Sequence, residues 1–178
     1  MKHASWFVVL ALTSGCEFWS TVTVPAVDTT PPVAATRLLE IGGAGYDDLG
    51  FGDYDGASLT TSNPNRKFML IAAAWDPEGA RKVTMSRHFV RQCVNVNTGI
   101  GALQNFSYPQ EVYTQPGGPG SVVDDGVWTG VYVDLRDWLT CPGSTSFDWG
   151  MMTWTVVAEN YSGLTAIHGT GTLVLNLP

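Results

Sequence analysis

The sequence predicts an all-β protein, an antiparallel β-sandwich with long loops. Three observations carry that prediction. Turn formers are abundant, with 20 glycines and 10 prolines, while charged residues make up only 14% of the chain against roughly 25% in an average globular protein. The hydrophobic residues fall into short alternating or continuous runs bounded by turn sequences. No stretch holds a sustained helical period. With 44% hydrophobic residues in a chain of 178, one domain has enough apolar material for a core.

Taken in order, residues 33–41 form the first expected strand. Residues 68–75, FMLIAAAW, are a continuous apolar run, as in a strand buried on both faces. Periodicity alone leaves a short helix open there, but the length and the stop at Asp76-Pro77-Glu78-Gly79 favour a strand ending in a tight turn. Residues 80–88 alternate, with Val83 and Met85 on one face and Lys82, Thr84 and Ser86 on the other. The two runs are expected to pair as a hairpin. Residues 127–135 put Val131, Val133 and Leu135 on one face, and the following DLRDWL at 134–139 is the one candidate for a short helix. Residues 149–158 put Met152, Trp154, Val156 and Ala158 together, and residues 165–177 do the same with Leu173, Leu175 and Leu177. The turn Asn160-Tyr161-Ser162-Gly163 between them marks a second hairpin. Segments 42–65 and 94–126 are left as long loops.

Acidic residues outnumber basic ones by 16 to 9, for a net charge of −7, and no basic run exceeds Arg66-Lys67 or Arg81-Lys82. Nucleic acid, which demands phosphate neutralisation, is not an expected partner. Residues 17–32 carry Pro25, Pro31 and Pro32 and no hydrophobic period, which reads as an extended tether. The division is then a signal peptide at 1–15, a tether at 16–32 and a sandwich domain at 33–178.

The signal is read from Lys2 and His3, the seven-residue apolar stretch WFVVLAL and the small residues Thr13, Ser14 and Gly15. It is too short to span a bilayer and has the layout of a secretory leader. Ser14-Gly15-Cys16 resembles the lipobox of bacterial lipoproteins, with Thr13 where that family prefers Leu. The resemblance implies cleavage before Cys16, acylation of its thiol and a membrane partner reached through that lipid. Two or three acyl chains anchor stably where one is marginal. Glu17 in place of Asp implies outer-membrane sorting in a Gram-negative cell. With Cys16 lipidated, Cys93 and Cys141 remain in an exported, oxidising compartment and are expected to pair as a disulfide.

Thr29-Thr30-Pro31-Pro32, FMLIAAAWDPEGARKVTM and VVAENYSGL resemble Ig-like or fibronectin-III-like domains of bacterial surface proteins. The resemblance implies an Ig-like sandwich, although the chain is longer than the roughly 100 residues of such domains. The cysteines also stand elsewhere than in that family, so a bridge would staple loops rather than the two sheets.

Several candidate sites stand beside plainer alternatives. Asp47, Asp48, Asp53 and Asp55 gather among glycines in a span that would suit Ca²⁺, which takes oxygen ligands on a pliable loop; the alternative is a solvated loop with Asx turns. Tyr46, Phe51 and Tyr54 in the same span are candidate ligand contacts for sugar stacking, with core packing as the alternative. Among the tryptophans, Trp75 and Trp154 lie on apolar runs and read as core. His88 and Cys93 could be written as a base and thiol, and His88, Cys93, Cys141 and His168 as a zinc set, but neither has a recognised spacing. Asp124-Asp125 argues for glycosidase chemistry only with a cleft. The expectation is therefore a non-enzymatic cell-envelope lipoprotein with a structural, adhesive or partner-binding module, its partner a protein or glycan at the cell surface. The alternative is an exported carbohydrate-binding or carbohydrate-processing domain.

Overall fold

The structure is a computed structural model and describes residues 20–42, 45–52 and 58–178. In chain order the strands are β1 (Thr21–Thr23), β2 (Val33–Gly42), β3 (Gly45–Gly52), β4 (Ser58–Thr61), β5 (Lys67–Trp75) and β6 (Ala80–Asn95). There follow β7 (Gly101–Ser107), β8 (Glu111–Thr114), β9 (Val122–Asp124), β10 (Gly126–Asp134), β11 (Thr145–Asn160) and β12 (Thr165–Asn176), with one 3-10 turn, η1 (Leu135–Leu139), before β11. The protein is an all-β sandwich. One sheet has the order β10-β5-β2-β3, the other β4-β12-β11-β6-β7 with β8 also paired to β6, and β1 pairs with β9 in a separate ribbon.

The two sheets face each other through alternate residues. Phe68, Leu70, Ala72 and Ala74 of β5 are buried against Val83 and Met85 of β6, Met152, Trp154 and Val156 of β11, and Leu173 and Leu175 of β12. Each of the larger side chains among them contributes about 1.5–3 kcal/mol by leaving water, and each alanine less. Trp154 lies so close to Gly171, its partner across β12, that a Cβ there would sit 2.2 Å from the indole. A glycine is the residue that lets this ring enter the core. The expected β11–β12 hairpin is present, with the two strands antiparallel through Glu159↔Thr165.

The other expected hairpin is not. β5 has β2 on one edge and β10 on the other, both antiparallel along its length, so no edge remains for β6. The turn after Trp75 instead carries the chain into the second sheet, where β6 pairs with β11. Gly79 permits this corner with a φ of 111°, and its N–H donates to the Asp76 carbonyl at 2.9 Å. β5 is also not buried on both faces, because Met69 and Ile71 keep partial exposure and Trp75 is exposed. The supposed loop 42–65 contains β3 and β4, and 94–126 contains β7, β8 and β9. β4 runs parallel to β12, the one departure from antiparallel pairing among the described strands.

The tether expectation is corrected from Ser20 onward. β1 and β9 are in register from Thr21↔Asp124 to Thr23↔Val122. Val24 is buried and its N–H donates to the Ser121 carbonyl at 2.9 Å, while Asp125 N–H donates to the Ser20 carbonyl at 2.8 Å. A strand partner and a buried valine hold this arm, two features that a count of prolines does not reveal.

Candidate functional site

Parity along the four-stranded sheet decides what its outer face presents. Since Phe68 and Leu70 point inward, the alternate residues of β5 point out, and the register carries that parity to its neighbours. One row is Val33, Trp75 and Gly126; the next is Ala35, Ala73 and Trp128; then Arg37, Ile71 and Gly130; then Leu39, Met69 and Tyr132. An antiparallel sheet with one solvated face ordinarily alternates apolar-in and polar-out. Here the outward residues are mostly apolar or aromatic, with Arg37, Lys67 and Asp134 the charged ones on β2, β5 and β10. Trp128 is 55%, Tyr132 51%, Val33 55% and Trp75 40% exposed, while Ala73 between them is buried.

The aromatic groups are aligned. Trp75 and Trp128 are diagonal neighbours on adjacent strands, about 7–8 Å apart at the backbone. Tyr132 lies four residues beyond Trp128 on the same strand face, about 13 Å away. Gly130 stands between them without a side chain, opposite Ile71. A Cβ added there would lie 3.7 Å from the Trp128 ring, so the indole leans along the strand over the glycine. At the far end Asp134 is flanked by Arg136 at 2.8 Å and Lys67 at 3.5 Å, and Lys67 Nζ lies 6.0 Å from the centre of the Tyr132 ring. The hydrogen bond from Arg136 holds the Asp134 carboxyl well below the ordinary carboxylate range. Among the described strands β10 is also an edge strand.

A second cluster lies at the corner between the sheets. Asp28, Asp76 and Glu78 bring one carboxylate oxygen each within 4.8 Å of one another. Asp76 is fully buried. Asn160, equally buried, donates from Nδ2 to Asp28, to the Thr30 carbonyl at 2.9 Å and to Asp76 at 3.2 Å. Burial raises the Asp76 carboxyl above its ordinary value, against the donors Glu78 N–H and Asn160. The cluster ties the N-terminal arm to two turns.

Cys93 and Cys141 form a disulfide, 48 positions apart. Cys93 lies within β6 and not in a loop, so the bridge joins a strand of the six-stranded sheet to the connection that follows η1. This removes the thiol from the His88–Cys93 pair and two ligands from the zinc set. Beside the bridge a hollow of about 500 Å³ is lined by Arg91, Gln104, Phe106 and Pro142 among others. Arg91 is held there by Gln104 at 2.7 Å and the Trp138 carbonyl at 3.1 Å.

Of the sequence-derived candidates, Asp53, Tyr54, Asp55 and Cys16 lie outside the described residues. Tyr46, Asp47, Asp48 and Phe51 fall on β3, opposite Ile41, Glu40, Leu39 and Arg37 of β2, so the span is a strand there and not a pliable loop. Asp125 is committed to Ser20, whose hydroxyl donates to its carboxylate. Trp154 and Trp138 are core residues. Trp75, read as core, is on the solvent face, and Trp128 and Tyr132 were not singled out together. The signal was available, since all three share the parity opposite to Phe68 and Val133.

No family model matches the chain, and no curated protein matches it. Among solved structures, a Bordetella pertussis chain described as an ApaA protein is 11% identical over 88% of this chain and 98% of its own, with a TM-score of 0.26.

Proposed function

We propose that this chain is a cell-envelope protein lipid-anchored to the outer membrane, whose non-catalytic sandwich binds a partner through the outer face of the β10-β5-β2-β3 sheet. The observation that carries the reading is the row of exposed apolar and aromatic residues on a sheet face that would ordinarily be polar. The lipobox-like Ser14-Gly15-Cys16 supports the anchoring half, and the Cys93–Cys141 bridge fits an oxidising compartment. A photo-crosslinking residue at Gly130 in living cells should give a partner adduct, and one at exposed Val96 should not. Equal labelling from both positions would remove the sheet face as the binding surface.

The alignment of Trp75, Trp128 and Tyr132 favours a second reading, carbohydrate binding. Flat apolar ring faces match the axial faces of sugar rings, and Lys67, Asp134 and Arg136 stand at one end to meet hydroxyl groups. On that reading Trp128→Ala and Tyr132→Ala each weaken co-sedimentation with peptidoglycan sacculi about tenfold, or about 1.4 kcal/mol. Co-sedimentation unchanged in both variants, or absent in the parent, rules it out.

A further inference from the structure

The chain is fixed to the sandwich at Ser20, through the Asp125 backbone and carboxylate. Only residues 17–19 separate Ser20 from Cys16, so the two Cα atoms can be at most about 14 Å apart. The end of the sandwich that receives Ser20 also holds the row Val33, Trp75 and Gly126, since Asp125 accepts from Asp76 N–H and continues into β10. Trp128 is one row further, about 7 Å along the strand. Val27 on the arm and Val122 on β9 are exposed as well, at 78% and 71%.

We propose that the lipid bilayer covers this end of the sandwich, with Val33, Trp75 and Trp128 seated at the headgroup level of the leaflet that holds the acyl chains. The inference rests on the lipidation of Cys16 proposed above and goes beyond it by naming a second contact between protein and membrane. An arm this short and this firmly docked keeps the domain from standing away from its anchor. Tryptophan is the side chain that favours the headgroup region, where its ring is buried and its N–H stays wet. The contact is apolar in origin. The chain has a net charge of −7, and Asp28, Asp76 and Glu78 stand at the same end, so attraction to anionic lipid contributes nothing. Tyr132, at the opposite end of the strand, is left facing away from the bilayer and available to a partner.

The test uses the full chain purified from membranes, in a Trp19→Phe background, reconstituted into phosphatidylcholine vesicles with brominated acyl chains. Acyl mass on the Cys16 peptide is measured on the same preparation. The expected result is quenching of tryptophan emission that is lost in Trp75→Phe/Trp128→Phe, retained in Trp149→Phe and unchanged by salt high enough to screen charge. Hydrogen exchange of residues 126–130 should slow on vesicles relative to the unlipidated Cys16→Ser protein. An acylated protein that shows neither quenching nor slowed exchange overturns the bilayer contact and leaves the anchoring reading standing. A preparation without acyl mass on Cys16 overturns both. Slowed exchange with peptidoglycan sacculi and none with vesicles assigns the face to glycan and likewise overturns the bilayer contact.

Discussion

Asn160→Ala probes the joint that holds the N-terminal arm to the sandwich. In the parent, the Asn160 amide donates to Asp28, the Thr30 carbonyl and the fully buried Asp76, and its oxygen accepts from Ser162 N–H at 3.1 Å and Leu164 N–H at 2.9 Å. Net values are about 1 kcal/mol for a neutral hydrogen bond and about 1.5–3 kcal/mol for one to a charged group. The three donor contacts share two protons, so they do not add. Removing the amide also strips one oxygen of a buried carboxylate of its donor. The expected loss is about 3–5 kcal/mol, a large part of the about 5–15 kcal/mol that typically stabilises a domain. It should read as a drop of roughly 10 °C or more in Tm. The defect should shrink in acid. Asp76 already has a raised value in the folded protein, so its contribution to folding is most favourable when protonated and falls away as pH rises through that value; without Asn160 the penalty on its charged form grows. Urea unfolding at neutral and acid pH measures the loss, and hydrogen exchange at residues 28–31 and 160–164 shows whether the arm has been released. A variant within about 1 kcal/mol of the parent, with those amides equally protected, would refute the assignment of the arm to this joint.

Three further outcomes follow from the packing and the charges. Replacing Cys93 and Cys141 together by alanine, or reducing the bridge, opens a loop of 48 positions and should cost about 4 kcal/mol on the chain-entropy model, read from denaturant midpoints with and without reductant. Gly171→Ala puts a Cβ 2.2 Å from the buried Trp154 ring and should lose about 1–3 kcal/mol, whereas Gly118→Ala, with nothing within 4 Å, should leave Tm unchanged. Glu40→Gln removes a pairing with Arg66, whose hydrogen bond holds the Glu40 carboxyl below its ordinary value of 4.5. Its effect, about 0.5–1 kcal/mol for a partly exposed pair, should be present above pH 4.5 and vanish as pH falls through the lowered folded value; a difference that persists in strong acid would contradict that origin.

The alternation of 80–88 and of 149–158 and the turn at Asn160–Gly163 were enough to place β6, β11 and β12, because a period of two and a turn signal are local properties. What pairs with what is not local. Phe68 to Trp75 reads as a hairpin partner of 80–88 until one knows that β2 and β10 occupy both of its edges. The same gap hid the candidate site. A continuous apolar run gives no hint of which parity faces solvent, so Trp75 read as core, and its neighbours Trp128 and Tyr132 come from a strand more than fifty positions away. The docked arm was missed for a related reason. Asp28 and Thr30 look like linker residues until Asn160 is found beside them.

Cys16 decides whether the protein is anchored. Mass spectrometry of the N-terminal peptide of the membrane-fraction protein is the most direct measurement. It should find a chain that begins at Cys16 and carries a thioether-linked diacylglycerol, absent in Cys16→Ser, which should leave the membrane or fail to mature. A free thiol at Cys16, or a leader still attached in protein that stays with the membrane, would contradict the lipid anchor and with it the placement of the aromatic end against the bilayer.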